Sequence, residues 1–390
     1  MLLTPMTVVV LVACGMGAAL LGSIKLALAR KLEIDEARVG GLVSMFGLAM
    51  IPVVLSAGFI TDLVGKQPVV IGGSVLMAVS LVMLGTVATY WGAVAGVLVL
   101  SASWSALINV INPVSVIAFG GDKTYAMNLA CFFFGVGAFV TPLAVAFLLR
   151  RMGITKGLML IAGLLLVPVA LSFGVDFAAL SPVAAEAAEA AETKTVAAGM
   201  GTLLADPVMW LCTLAFLFYG PLEGSTGAWT TTYLTDKGVS EGKAAGLLSA
   251  FWLSYTASRL VTAMVVKAVG MPTGGDRVLI LVFAVATVAV LSGIVRSRGP
   301  RSAIVMVICT GIIFGPLYPT IMAVLLGHFD PSVHGRAVGL FFSIGGIGMA
   351  TIPAAMGAYA KRTSVQRGFL VGVGSAVCLV VVALVLVLGG

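Results

Sequence analysis

Charge is what this sequence has least of. Only 9% of its 390 residues are Asp, Glu, Lys or Arg, 60% are hydrophobic, and the mean hydropathy is +1.16. Soluble domains carry about a quarter charged residues. A water-facing surface cannot be assembled from so few, which excludes a cytosolic enzyme, a nucleic-acid binder and a disordered scaffold, and leaves a polytopic membrane protein. Histidine is equally scarce. His328 and His334 share one loop, so neither a metal cluster nor a Ser/His/Asp hydrolase has its residues. Cys14, Cys131, Cys212, Cys309 and Cys378 stand singly in apolar runs without CxxC spacing and read as small buried hydrophobes. No GxxxxGK[ST] loop is present, which disfavours ATP-driven work by this chain, and nothing calls for a cofactor. The net charge of +7 then belongs to loops that face lipid headgroups, not to a nucleic-acid surface.

What the sequence has in abundance is apolar runs of spanning length. A membrane helix needs about 20 such residues, because each rises about 1.5 Å across about 30 Å of hydrocarbon. Twelve stretches qualify: 6-29, 37-60, 68-87, 91-118, 124-149, 156-174, 206-235, 241-268, 277-295, 302-327, 334-360 and 367-388. Met1 to Leu21 lacks a positive leading region and a cleavage site, so it is expected to be the first span and not a signal peptide. Residues 175-205 collect Glu186, Glu189 and Glu192 among alanines after Pro182, and read as a polar, partly helical linker between bundles at 1-174 and 206-390.

An internal repeat supports that division. Gly41-Leu42-Val43-Ser44-Met45-Phe46-Gly47-Leu48 returns 205 residues later as Gly246-Leu247-Leu248-Ser249-Ala250-Phe251-Trp252-Leu253. Pro142, followed by Arg150, Arg151 and Gly157, has its counterpart in Pro353, followed at the same distances by Lys361, Arg362 and Gly368. The fold class expected is therefore an all-α membrane protein of 12 transmembrane helices in two six-helix pseudo-repeats. A transporter that rocks one bundle against the other has this organisation.

Gly58-Phe59-Ile60-Thr61-Asp62-Leu63-Val64-Gly65-Lys66-Gln67, between spans 2 and 3, resembles the GxxxDxxGR/K loop of the major facilitator superfamily. The resemblance implies gating roles for Gly58, Asp62, Gly65 and Lys66, with glycines allowing a tight turn and the acid making a charge-dipole contact. Gln67 stands where a second basic residue usually follows. In that family the loop is cytoplasmic, which implies cytoplasmic termini and a plasma (inner) membrane location. Charge counting points the other way. Loops after spans 1, 5, 7, 9 and 11 hold 14 Lys and Arg against 6 in those after even-numbered spans, which places the amino terminus outside.

Further motifs resemble the fucose permease branch of the superfamily. They are Tyr219-Gly220-Pro221-Leu222-Glu223-Gly224-Ser225-Thr226-Gly227-Ala228-Trp229 with Tyr233 in span 7, Asn128 through Pro142 in span 5, and Phe314-Gly315-Pro316-Leu317-Tyr318-Pro319 in span 10, with Gly335-Arg336-Ala337-Val338-Gly339-Leu340 where span 11 begins. This resemblance implies alternating-access symport of a sugar or similar small polar solute. Its partners would be that solute, a proton (sodium being the alternative ion) and membrane lipids, for a chain that acts as a monomer without nucleic acid. The branch's symporters use carboxylates in spans 1 and 4, and this chain has neither. A proton-driven exporter of drugs or organic anions is the rival; a scaffold and a membrane enzyme are the other classes.

Three charges fall inside spans, where each costs roughly 2.5–3.5 kcal/mol or more unless paired or hydrated. Glu223 is the sole carboxylate well inside a span, suited to bind a proton or to accept hydrogen bonds from hydroxyls; its bland alternative is a structural partner. Lys25 lies near the end of span 1 and either snorkels or faces a cavity. Arg259 in span 8 is read as a gate or a helix tether. Asn109 and Asn112 at i,i+3 in span 4, Asn128, Trp229, Tyr233, Trp252, Tyr255 and Tyr318 complete the substrate-binding or coupling candidates, since aromatic faces stack on sugar C–H surfaces and amides bind hydroxyls. Interhelical hydrogen bonds and interfacial belts explain the same residues without a ligand. Pro113, Pro142, Pro221, Pro316, Pro319 and Pro353 are expected to free backbone carbonyls and bend their helices.

Overall fold

A computed structural model describes residues 2–177 and 196–389 of the chain. The described residues are almost wholly helical. Span 1 is Leu3–Leu32, span 2 Glu36–Val64, span 3 Lys66–Thr86 and span 4 Tyr90–Phe119. Spans 5 and 6 share one segment, Lys123–Leu164, that turns at Gly153 (φ 75°) and continues in the short helix Val167–Ser172. A 10-residue helix, Val196–Ala205, leads to span 7, Pro207–Asp236. Span 8 is Glu241–Val269, span 9 Gly275–Arg296, span 10 Pro300–Phe314 with Leu317–His328, span 11 His334–Arg362 and span 12 Val365–Leu388. The acidic stretch at Glu186, Glu189 and Glu192 lies outside the described residues.

Among the described residues, ten segments are long and apolar enough to cross a membrane. They correspond to the twelve expected spans, because Lys123–Ser172 is 50 residues long and holds two, and because span 8 carries Arg259 among serines and a tyrosine and so falls below the apolarity of the others.

The repeat extends to backbone detail. Spans 2 and 8 are both 29 residues long, begin 205 residues apart, and end on Gly65 (φ 86°, ψ 172°) and Gly270 (φ 79°, ψ 156°). A side chain would be strained at either position, so glycine ends each helix. Packing repeats as well: spans 2 and 3 lie on span 4 as spans 8 and 9 lie on span 10, and span 1 lies on span 6 as span 7 lies on span 12. Backbones approach closely at matching glycines. A Cβ on Gly137 would lie 2.1 Å from the Val12 carbonyl oxygen, and one on Gly348 would lie 2.2 Å from that of Leu217. Lipid tails supply little hydrophobic drive between helices, so such small-residue contacts carry the packing.

By internal contacts the chain forms two units, one of residues 1–120, 133–201 and 329–343, the other of 121–132, 202–328 and 344–390. Each takes the opening turns of span 5 or span 11 from the other half of the sequence. Outward faces are apolar, as Leu48, Leu63, Phe139, Leu143, Leu253 and Val261 illustrate. Two cysteines correct the sequence expectation: Cys14, Cys131 and Cys212 are buried, whereas Cys309 is half-buried and Cys378 is exposed on an apolar face, because lipid solvates a thiol-sized hydrophobe as well as a core does.

Candidate functional site

Two polar constellations stand out, one in each unit. The first is built where span 2 ends. Asp62 sits one turn before Gly65, whose left-handed backbone turns the chain directly into span 3 at Lys66. Its carboxylate meets the first turn of span 11: Oδ1 accepts the Gly335 amide at 2.9 Å, and Oδ2 accepts the Arg336 amide at 3.0 Å and the Arg336 Nε at 2.8 Å. An anion there satisfies orphan amides at a helix N-terminus and pairs with a guanidinium that is itself largely buried. Lys66 adds a cation within electrostatic reach of Asp62. Gly58 is required for proximity, since a Cβ there would stand 2.3 Å from the Gly335 carbonyl oxygen. Asn109, read from the sequence as a cavity amide, is fully buried here and donates to that same Gly335 carbonyl at 2.9 Å. Ser343 donates to the Ile51 carbonyl at 2.7 Å, adding a second tie between spans 11 and 2. Gln67, in the place of the second basic residue, donates to the Ser172 carbonyl.

The second constellation surrounds Glu223 at the middle of span 7. Tyr219, one turn earlier and fully buried, donates toward Glu223 Oε2 at 3.3 Å and also to the Phe314 carbonyl. Tyr255 of span 8 interacts with both Glu223 and Tyr219. Arg259, only 4% exposed, lies one turn beyond Tyr255. Its Nε donates to the Gly315 carbonyl at 2.9 Å and one terminal nitrogen to the Cys131 carbonyl at 3.2 Å; the other terminal nitrogen donates to the Tyr255 hydroxyl, and the guanidinium lies 4.1 Å from the centre of that ring. Span 10 explains why these carbonyls are available. Pro319 has no N–H to offer Gly315, four residues back, and the helix is interrupted between Phe314 and Leu317 around Pro316. Two oxygens that a continuous helix would have used internally are satisfied instead by Arg259 and Tyr219. Among the described residues Glu223 and Arg259 form no direct ion pair, and the tyrosine hydroxyls connect them.

The remaining candidates are dispersed. Trp252 packs edge-on against Phe251 and Tyr255 beside the cluster. Tyr318 packs on Phe216, and Trp229 faces Gly357. Asn128 and Asn112 donate to carbonyls of their own helices, Thr124 and Ile108, and Asn128 Oδ1 is buried with no hydrogen-bond partner among the described residues. Tyr233 belongs to a knot at the end of span 9, where its hydroxyl meets Ser297 and where Lys237 and Gln366 also converge. Lys25 is exposed. The residue that sequence reasoning undervalued is Tyr219, although its i,i+4 spacing to Glu223, matched by Tyr255 to Arg259, was available as a signal.

Comparison with known proteins follows the same lines. The family profile of the Major Facilitator Superfamily matches residues 6–353. Among solved structures, the fold is similar to a transporter of that superfamily, FucP, in its outward conformation (TM-score 0.81, 16% identity, 98% of each chain). It is also similar to the proton:xylose symporter XylE (TM-score 0.77, 12% identity, 98% of this chain and 94% of that one), and to the human organic anion transporter TETRAN (TM-score 0.71, 16% identity, 98% and 97%). Among curated proteins, Bypass of stop codon protein 6 of Saccharomyces cerevisiae is 28% identical over 181 residues, 45% of this chain; the chain spans about a third of that relative's length (36%).

Proposed function

The chain belongs to the major facilitator superfamily, and we propose that this multi-pass membrane transporter moves a small polar solute by alternating access, coupled to protons through Glu223. Family membership makes it a transporter and not an enzyme. The observation that carries the coupling role is the placement of Glu223, half-buried in the middle of span 7, touched by Tyr219 and within reach of Tyr255 and Arg259. A carboxylate so placed binds and releases a proton, its ionised form being held by two hydroxyls and a fixed cation, without needing a second acid. Asp62, with Gly58, Gly335 and Arg336, serves as a latch that holds the start of span 11 against the end of span 2 and opens during the cycle. On this reading the span 2–3 loop is cytoplasmic, both termini lie inside, and the protein works as a monomer in the plasma membrane with the proton, not sodium, as coupling ion.

The known proteins of similar fold include a fucose:proton and a xylose:proton symporter, which supports symport as the first assignment. Drug or organic-anion export is the second, favoured by the likeness to an organic anion transporter and by the buried guanidinium of Arg259. Uptake into proteoliposomes of labelled monosaccharides, organic acids and cationic drugs, with and without an inward proton gradient, tests the assignment. Symport predicts gradient-driven accumulation that Glu223→Gln abolishes while solute exchange without a gradient persists. Accumulation indifferent to the gradient, or unchanged in Glu223→Gln, overturns it.

A further inference from the structure

The charge arithmetic of the second constellation constrains the solute. Arg259 is a guanidinium, which stays protonated in proteins. It is buried in the protein interior at membrane depth, and it donates hydrogen bonds to two backbone carbonyls and one phenol, all neutral. Among the described residues the carboxylate within electrostatic reach is Glu223, which also acts on Tyr219, Tyr255 and the Cys131 thiol. The other charged groups that the spans around the cluster carry in this unit sit toward span ends: Lys123 on span 5, Glu241, Lys243 and Lys267 on span 8, Arg301 and His328 on span 10, Lys361 and Arg362 on span 11, Arg367 on span 12. Even the closest of these along span 8, Lys267, is eight residues from Arg259, about 12 Å along the helix axis. With Glu223 ionised the cluster is therefore neutral. Once Glu223 takes a proton the cluster carries one unbalanced positive charge, in surroundings where such a charge is poorly solvated.

From this we infer that the transported solute is an anion, a small hydroxylated carboxylate, and that one proton on Glu223 enters with one negative charge on the solute. The inference rests on the proton-coupled reading above and names its substrate class. The solute carboxylate takes over the role of Glu223 as counter-charge to Arg259. Tyr255, released from the Glu223 carboxylate, becomes a donor to the incoming one, because a protonated carboxyl no longer needs it as an anion does, while Tyr219 keeps its bond to the Phe314 carbonyl. A neutral sugar would leave the positive charge uncompensated in the loaded, protonated state, whereas an anion restores neutrality before the protein changes conformation. The cycle is then electroneutral: the proton and the monoanion cross together and no net charge moves.

The deciding experiment uses the wild-type protein, so it does not depend on a variant that folds. Reconstituted proteoliposomes are offered labelled hydroxycarboxylates of three to six carbons (lactate, glycerate, gluconate, glucuronate), each beside a neutral counterpart such as glycerol, glucose or fucose, under an inward proton gradient. Membrane currents are recorded in parallel. The expected result is at least tenfold greater accumulation of one or more acids than of their neutral counterparts, unaffected by a valinomycin-imposed potential and without a transport current. Accumulation of a neutral sugar with an inward current leaves proton coupling standing and overturns the anion inference alone. Failure of every solute to accumulate under the gradient overturns both. As a second arm, Arg259→Lys, which keeps the charge, is expected to retain acid exchange at reduced affinity, and Arg259→Gln to lose it while remaining monodisperse in detergent. Equal acid exchange in Arg259→Gln and wild type would overturn the role given to Arg259.

Discussion

Spans 2 and 8 are the same helix written twice. They share length, register and a left-handed glycine at the end, 205 residues apart, yet their polar investment lies in different places. Span 2 keeps its centre apolar, with Val54 fully buried where span 8 has Arg259, and spends its charge at the end as Asp62, where span 8 has Lys267. Duplication thus preserved what the backbone needs, the caps and the small-residue contacts, and left the identity of a few facing positions free to diverge. One copy carries an ion pair and amide contacts at a helix terminus. The other became a charged cluster in the interior. Different failures follow from damaging each.

The largest effect is expected from erasing the difference at the centre of span 8. Arg259→Leu, the apolar choice that span 2 makes, leaves the Gly315 and Cys131 carbonyls and Glu223 without their cation, at a cost of roughly 3–5 kcal/mol; thermal unfolding in detergent with the matching loss of folded yield would check it, and a variant as stable as wild type would refute the tethering role. Next comes overpacking at the end of span 2. Gly58→Val forces atoms against the Gly335 carbonyl and is expected to cost about 1–3 kcal/mol, read as a lowered Tm and slowed transport. Asp62→Asn is milder, because the amide oxygen still accepts from backbone while the ion pair and the helix-dipole contact are lost, up to about 2 kcal/mol; a double-mutant cycle with Arg336→Gln isolates that coupling.

A smaller effect outside both spans sharpens the contrast between a buried network and a surface cap. Asp206 caps span 7 through the Val208 amide at 2.8 Å and meets His328 at 2.9 Å. Burial pushes its carboxyl up, but the His328 hydrogen bond and the backbone amides outweigh burial and hold it below the usual carboxylate value. Stabilisation of that sign is complete above the unfolded carboxyl value of about 3.9 and fades as pH falls through the lower folded one. Wild type is therefore expected to exceed Asp206→Ala by about 1 kcal/mol near pH 6 and to converge with it in acid, as a pH series of unfolding curves would show. Smallest of all, Lys25→Gln should change transport less than twofold, since that side chain is exposed.

These contrasts also mark what the sequence could and could not disclose. Span positions and the turn at Gly65 were legible because hydropathy and glycine act locally. The isolation of Glu223 inside span 7 was legible from its apolar neighbours. That Asn109 would bond to the start of span 11 was not, because its partner Gly335 is 226 residues away. Nor did composition tell that Arg259 would find Gly315, although the absent N–H of Pro319, four residues on, left that carbonyl waiting. Pairings across the chain need a fold before they can be read.

The break in span 10 has a mechanical consequence. Its two liberated oxygens are each gripped by a different neighbour, Tyr219 of span 7 and Arg259 of span 8, so the bend is not a free joint. Spans 7, 8 and 10 are thus riveted at one level, which stiffens the trio there and leaves bending to segments away from the rivets.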